Sequence, residues 1–310
     1  MVISKEDFKV SNEKNALTAL SEALSAAAAQ GGAGTVMVAA RRRIPASGVA
    51  YALDLILTAD HVVEREEDIV VGLPNGDEIS AQLAGRDPGS DLALLRLESS
   101  AEIQVEKAPD QAGVGQLALA LGRPSGEGIQ ASLGVVSAIG GPIRTGRGGL
   151  LQRYLRTDAI PYPGFSGGPL VDVAGRLLGI NTSGLARGAS LVIPADLAWE
   201  TAAALAEHGT VRRGYLGVRT QPVAVSVPQQ EALERAQSAG LLVVSVEPGS
   251  PAERGGLIVG DILVGIADQA VHNHDQLLAA LTGDAVGKET PVQVLRGGQP
   301  HTLTVTIGNR

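Results

Sequence analysis

Two periodicities of apolar residues run along the chain, and the places where one gives way to the other divide it. After a polar start, Leu17, Leu20 and Leu24 fall at helical spacing in an alanine-rich stretch, and the Gly31–Gly34 run (GGAG) breaks that pattern. This predicts a helical arm, residues 1–34, packed on the body of the protein. From Thr35 to about Ile193 the period is mostly two, in short runs such as TVMVAA, DLILTA, DIVVGL, DLALLRL, QLALAL, GVVSAI and RLLGINT. Gly, Pro, Asp and Asn separate the runs. Many short strands with turn residues between them indicate a barrel or sandwich, and the lack of alternating long helices disfavours a doubly wound α/β fold. A helix from near Asp196 to His208 closes this segment, with Gly209 placed to stop it.

A second pattern starts at Gly214, with YLGV, LLVVSVEPGSPAERGGL, GDILVGIADQAV, a helix around Asp275–Leu281, then PVQVLRGG and HTLTVTI. It spans about a hundred residues, the size of one small domain. The short polar stretch Thr210–Arg213 separates it from what precedes, so the domains are expected at 35–209 and 210–310.

Composition narrows the possible chemistry. Aromatic residues make up only 2% of the 310 residues and the net charge is −8, which speaks against stacking platforms and phosphate-binding surfaces. Nucleic acid is not an expected partner. With no cysteine, disulfides, thiolate metal sites and cysteine nucleophiles are excluded. The apolar run Ala16–Ala29 is too short and too interrupted to span a bilayer. The start MVISKEDFKV lacks the pattern of a secretory signal. A cytoplasmic protein is therefore expected if Met1 is the native start, and an extracytoplasmic one if a leader was removed.

The strongest chemical signal is Pro163-Gly-Phe-Ser-Gly-Gly-Pro-Leu170, with Ser166 at its centre. A serine hydroxyl needs a base to take its proton and fixed donors to receive the oxyanion. The glycines allow a tight turn in which the Gly164 and Ser166 N–H groups can share one hole. The same residues match the G-x-S-x-G elbow of α/β-hydrolases, but Pro169 and the following LVDVAGRLLGI read as strand, turn, strand rather than helix. The order His, Asp, Ser fits instead. His61 ends an apolar strand (LTADHVV) and Asp91 heads another (DPGSDLALL), 30 residues apart, with Ser166 a further 75 on.

With these residues in place, TADHVV, DPGSDLALLRL, TDAIPYPGFSGGPL, GINT, YLGV and SPAERGGLIVGDIL together resemble the HtrA (Deg) family of serine proteases, over roughly Thr35 to Asn309. The resemblance implies a mainly β protein: two six-stranded antiparallel β-barrels of chymotrypsin-like kind followed by a small α+β PDZ domain. It implies a His61, Asp91, Ser166 triad without cofactor or metal, cleavage of unfolded or damaged polypeptides, and often a homotrimer. Two residues depart from the family pattern, Phe165 and Asp60, each where asparagine is common. Phe165 cannot accept the ion pair of a freshly cut N-terminus, so activation by such a cut is not expected.

In the C-terminal domain, Tyr215, Leu216, Gly217 and Val218 resemble the loop by which PDZ domains hold a peptide's terminal carboxylate on backbone N–H groups. Ile160–Pro163, Ser183–Leu185 and Ser190–Ile193 should wall the primary pocket; they carry no acidic side chain, so small to medium uncharged residues are expected there. Other apparent motifs are empty. His272 and His274 have no third metal ligand nearby and read as a solvated helix start, and Gly283–Lys288 is one residue short of a P-loop. Arg41–Arg43 reads as a solvated turn. The rival functions are a non-catalytic chaperone or scaffold using the PDZ domain, and a hydrolase of esters or small amides.

Overall fold

The computed structural model describes residues 15–146, 149–185, 191–211, 214–281 and 285–309. It divides into two units, Met1–Gly209 and Thr210–Arg310. In the first, six apolar runs form β1 (Thr35–Ala39), β2 (Ala46–Ala52), β3 (Leu55–Ala59), β4 (Ile69–Gly72), β5 (Glu78–Asp87) and β6 (Leu92–Leu97). They close antiparallel in the order β1-β2-β3-β6-β5-β4 around Val36, Val38, Ile56, Val71 and Leu95. Closure leaves no strand edge open to water or to another chain.

A second barrel repeats the plan with β7 (Leu117–Gly122), β8 (Gln130–Gly140), β11 (Tyr154–Thr157), β12 (Pro169–Val171), β13 (Leu177–Thr182) and β14 (Leu191–Pro194), closed as β11-β14-β13-β12-β7-β8. The small hairpin β9 (Ile143–Arg144) and β10 (Leu150–Leu151) interrupts it between β8 and β11. Alanines at 118 and 120 leave interior room that Phe165, Leu155 and Leu170 fill. The two barrels are those the sequence resemblance implied.

Helix α1 (Ala16–Ala33) corrects one expectation: it runs through Gly31 and Gly32 instead of stopping before them. The packed surface is also different. Leu17 and Leu20 are exposed, whereas Ala27, Gly31 and Gly32 are buried against the second barrel. A Cβ on Gly31 would lie 2.8 Å from Leu121 Cδ1, and one on Gly32 would lie 3.1 Å from Ile129 Cγ1. Bare backbone is what lets the helix seat there. Arg123, just after β7, donates from its guanidinium to the carbonyls of Gly32 (3.1 Å), near the helix's end, and Thr35 (2.8 Å), at the start of β1, and so ties the two elements together. Residues 1–14 of the expected arm lie outside the described residues.

Helix α2 (Ala195–His208) ends in the left-handed Gly209, φ 72°, as the sequence predicts. In the second unit, β16 (Val218–Ala224), β17 (Ala239–Val246), β18 (Ile262–Ile266), β20 (Glu289–Arg296) and β21 (Gln299–Thr306) form one antiparallel sheet in that order. β19 (Gln269–Ala270) pairs β18, and β15 (Gly214–Tyr215) pairs β22 (Gly308–Asn309). Three short helices join them: α3 (Val227–Ala232), α4 (Pro251–Arg254) and α5 (His274–Ala280). Leu216, Leu241, Leu263, Leu277 and Val292 share the core. A buried carboxylate supports it: Asp261 accepts from Arg296 Nε and Nη2, each at 2.8 Å, and from the Ile258 amide at 2.9 Å.

Candidate active site

β3 delivers His61. The strand ends at Ala59 and turns into one 3₁₀ turn, Asp60–Val62. Asp60, where the family commonly has asparagine, is fully buried and accepts from Arg86 Nε on β5 at 2.6 Å. That bond raises the Arg86 guanidinium above its ordinary value. Arg86 also reaches the Val63 carbonyl at 3.4 Å, so the turn carrying His61 is clamped to the barrel wall.

Asp91 is set by the DPGSD turn. Asp87 accepts the Gly89 and Ser90 amides at 3.2 and 3.1 Å, and the chain arrives at Asp91 with φ 58°, a left-handed conformation uncommon for a side-chain-bearing residue. The Asp91 carboxylate is fully buried and multiply bonded: it accepts the His61 amide at 2.9 Å, faces His61 Nδ1 at 2.8 Å and accepts from Thr182 Oγ1. An acceptor on Nδ1 fixes the proton there and leaves the Nε2 lone pair free as a base. Gly184 passes so close that a Cβ would lie 2.5 Å from Asp91 Oδ2 and 2.7 Å from His61 Nδ1. The sequence marked Thr182 only as the end of the GINT motif, Gly184 only as pocket wall and Asp60 only as a departure from the family pattern; Arg86 carried no signal.

Ser166 sits in a turn held at both ends. Phe165 N–H donates to Tyr162 O at 3.0 Å, Gly167 N–H to Asn181 O at 2.9 Å, and Ser47 Oγ donates to Gly164 O at 2.7 Å. Gly164 has φ 92°, and a Cβ there would lie 2.4 Å from Pro124 Cβ. Phe165 is wholly buried in the second barrel, edge-on to Tyr162 with ring centroids 5.5 Å apart. It anchors the turn by apolar burial, against β7 at a glycine: a Cβ on Gly122 would lie 2.4 Å from Phe165 Cδ1. Among the described residues the Gly164 and Ser166 N–H groups make no hydrogen bond, which leaves both available to an oxyanion.

The structure brings His61, Asp91 and Ser166 together, but with a fourth residue between them. Ser166 Oγ contacts Ser183 Oγ at 3.2 Å, and Ser183 Oγ contacts His61 Nε2 at 3.4 Å. Ser183 entered the sequence reading only as pocket wall. The residues open onto a cleft of about 360 Å³ lined also by Pro161, Tyr162, Pro163 and, from the β1–β2 turn, Arg41, Arg43 and Ile44. No acidic side chain lines it among the described residues; Ser190, expected in the wall, lies outside them. Arg41–Arg43 is therefore more than a solvated turn: Arg41 is half-buried and its Nε donates to Ile44 O at 2.8 Å.

In the second unit, Leu216 is buried, Gly217 has φ 82° with no room for a Cβ beside Ser250, and Val218 opens β16. β16 ends its sheet, so one edge is available for strand addition. His274, read as part of a solvated helix start, instead reaches from α5 to Thr220 on β16, with Nε2 2.9 Å from Oγ1 and 3.1 Å from the carbonyl. Gly283 and Asp284 lie outside the described residues.

Two closed six-stranded barrels with this grouping between their strands, followed by a small sheet whose edge strand begins at a glycine loop, define a trypsin-like peptidase chain with an appended PDZ domain. Family models agree: the trypsin-like peptidase domain matches residues 46–180, and the PDZ domain matches residues 214–307. The chain belongs to the HtrA family of proteases. It is 32% identical to the solved "HtrA-type protease AlgW with tripeptide", with a TM-score of 0.75 over 93% of this chain and 97% of that one. A "probable periplasmic serine endoprotease DegP-like" of Halomonas elongata is 34% identical over 276 residues, 86% of this chain and 57% of that protein. The "periplasmic pH-dependent serine endoprotease DegQ" of Escherichia coli is 32% identical over 263 residues, 81% and 56% respectively. The chain thus spans a little over half the length of these curated relatives.

Proposed function

We propose that the chain is a serine endopeptidase. The observation that carries this reading is the Asp91–His61 pair, with its 2.8 Å contact on Nδ1 and Nε2 turned to the serine hydroxyls, beside a serine whose own N–H and that of Gly164 are unclaimed. His61 takes the Ser166 proton as Oγ attacks a peptide carbonyl; Asp91 orients and stabilises the imidazolium; the Gly164 and Ser166 amides hold the oxyanion. The amine leaves with the proton from His61, and water repeats the cycle on the acyl-enzyme. Before attack, Ser166 Oγ exchanges its contact with Ser183 Oγ for one with His61 Nε2.

The substrates we propose are unfolded or damaged polypeptides, with small or medium uncharged residues in the primary pocket. Tyr215, Leu216, Gly217 and Val218 bind peptide C-termini beside the open edge of β16. A homotrimer is the proposed assembly. The location is extracytoplasmic, supported by relatives described as periplasmic; they lend no support to a cytoplasmic one. A non-catalytic scaffold would have no use for the buried Asp91–His61 pair aimed at a hydroxyl. The test is casein digestion by wild type beside Ser166→Ala. Cleavage that persists undiminished in the variant refutes the assignment; loss by several orders of magnitude is expected.

A further inference from the structure

We propose that the β1–β2 turn forms a subsite for an acidic side chain of the substrate, on the leaving-group side of the scissile bond. This rests on the endopeptidase reading and names a specificity within it. Arg41 and Arg43 line the same cleft as His61, Gly164 and Ser166, and no carboxylate lines it among the described residues. The placement runs against the whole chain, whose net charge is −8.

Both cations are available to a ligand. Arg41 commits only its Nε, to the Ile44 carbonyl, and keeps its other N–H donors. Burial lowers its pKa, Glu64 opposes that shift, and Arg43 adds to it, so an incoming carboxylate would relieve the Arg41–Arg43 repulsion. Elsewhere around the His61 turn, Asp60 and Glu66 are engaged by Arg86. Arg43 makes no hydrogen bond or ion pair among the described residues. A guanidinium presents paired N–H groups that match a carboxylate's two oxygens. Ile44, 55% exposed beside them, offers apolar support to the stem of an Asp or Glu side chain.

Position follows from the walls of the cleft. The acyl-side residue is assigned to the wall formed by Pro161–Pro163 and Ser183, the part of the cleft that belongs to the segments expected for the primary pocket. The turn lies instead beside the oxyanion glycine, since Pro45 O is 2.8 Å from where a Gly164 Cβ would sit. A polypeptide crossing Ser166 from that pocket runs out over Arg41–Ile44.

The test uses C-terminally amidated, internally quenched peptides built on one mapped cut site, with each of the three residues after the scissile bond set in turn to Asp or Asn. Amidation removes the terminal carboxylate as a competing source of the same chemistry. At one position the Asp peptide should exceed the Asn peptide in kcat/KM by about fivefold at low salt, the upper range for exposed charge pairs, and the ratio should fall toward one near ~1 M salt. Arg43→Gln should lower the ratio, Arg41→Gln with Arg43→Gln should abolish it, and Arg43→Lys, which keeps the charge but not the paired donors, should give a ratio between wild type and Arg43→Gln. Should the double variant fail to fold, Arg43→Gln alone decides, because that side chain holds nothing else in place. Cleavage of both peptides at equal rates by wild type, or a ratio that survives the variants, overturns the subsite while leaving the peptidase intact. A chain that cleaves neither the peptides nor casein overturns the peptidase reading and the subsite with it.

Discussion

Ser166 and Ser183 both present hydroxyls within reach of the same imidazole network, and distance to His61 does not by itself select the nucleophile. What separates them is the backbone: Ser166 belongs to a turn in which its own N–H and that of Gly164 are unclaimed, and a nucleophile without oxyanion donors loses the largest share of its rate. Ser183→Ala removes a hydrogen-bond competitor and leaves those donors untouched. Its kcat/KM on a peptide substrate should stay within about threefold of wild type or rise, against the loss of several orders of magnitude expected for Ser166→Ala. A collapse of activity in Ser183→Ala, with Ser166→Ala active, would exchange the two roles. Gly184 belongs to the same scale, since any side chain there meets Asp91 Oδ2 and His61 Nδ1 at under 3 Å.

Among the elements, α1 has its end tied to the barrels by Thr35, whose hydroxyl donates to Gly31 O at 2.8 Å, and by Arg123. Arg123 is almost fully buried, and burial lowers its guanidinium below its ordinary value. It nonetheless donates to the Thr35 carbonyl and shares the Gly32 carbonyl with the Gly34 N–H. Arg123→Met keeps the bulk and removes both bonds, leaving Gly32 O its Gly34 N–H alone, which should cost about 1–3 kcal/mol in a urea unfolding titration. A change below about 0.5 kcal/mol would mean that water serves the helix end equally well. β18 and β20 share a similar dependence on Asp261 and Arg296. Burial pushes the Asp261 carboxyl up, and the hydrogen bonds from Arg296 and the Ile258 amide more than offset it, so the folded-state value lies below the ordinary one. The stability this supplies is complete above the unfolded value of about 4 and is lost as pH falls through the lower folded value. Asp261→Asn should therefore cost about 2 kcal/mol near neutral pH, and its gap from wild type should close as pH drops below about 4. A gap that does not change with pH would exclude this linkage.

For the molecule as a whole, the proposed reader of chain ends can be tested without interference from cleavage. Full-length Ser166→Ala, titrated by calorimetry with one peptide ending in Val, should bind the free acid at least about tenfold more tightly than the amide. Backbone donors that recognise a carboxylate gain little from a neutral amide. Equal affinities would show that Tyr215–Val218 does not read the terminus. The same peptide also has to engage the edge of β16 where His274 already holds the Thr220 carbonyl, so that contact must open or be shared.

Local rules made much of this protein legible. Period-two runs marked the barrel strands, Gly209 marked the end of α2, and the glycines around Ser166 marked a turn that only small residues can make; each signal lies within a few neighbouring residues. The order His61, Asp91, Ser166 was legible for the same reason. What stayed hidden depends on groups far apart in the chain. Ser183 meets His61 across 122 residues, Ser47 holds Gly164 across 117, and Arg86 clamps Asp60 from β5, across the intervening β6. Gly31 and Gly32 read locally as a helix stop, yet Leu121 and Ile129 make bare backbone the condition for the helix to dock, and the helix continues through them. Arg41 and Arg43 carry no motif and line the cleft only because the turn of one barrel meets the Ser166 turn of the other. The sequence determined which segments fold and which residues can do chemistry; only the tertiary structure decided which hydroxyl faces the imidazole and which charges face the cleft, because those contacts form between strands that the chain order keeps apart.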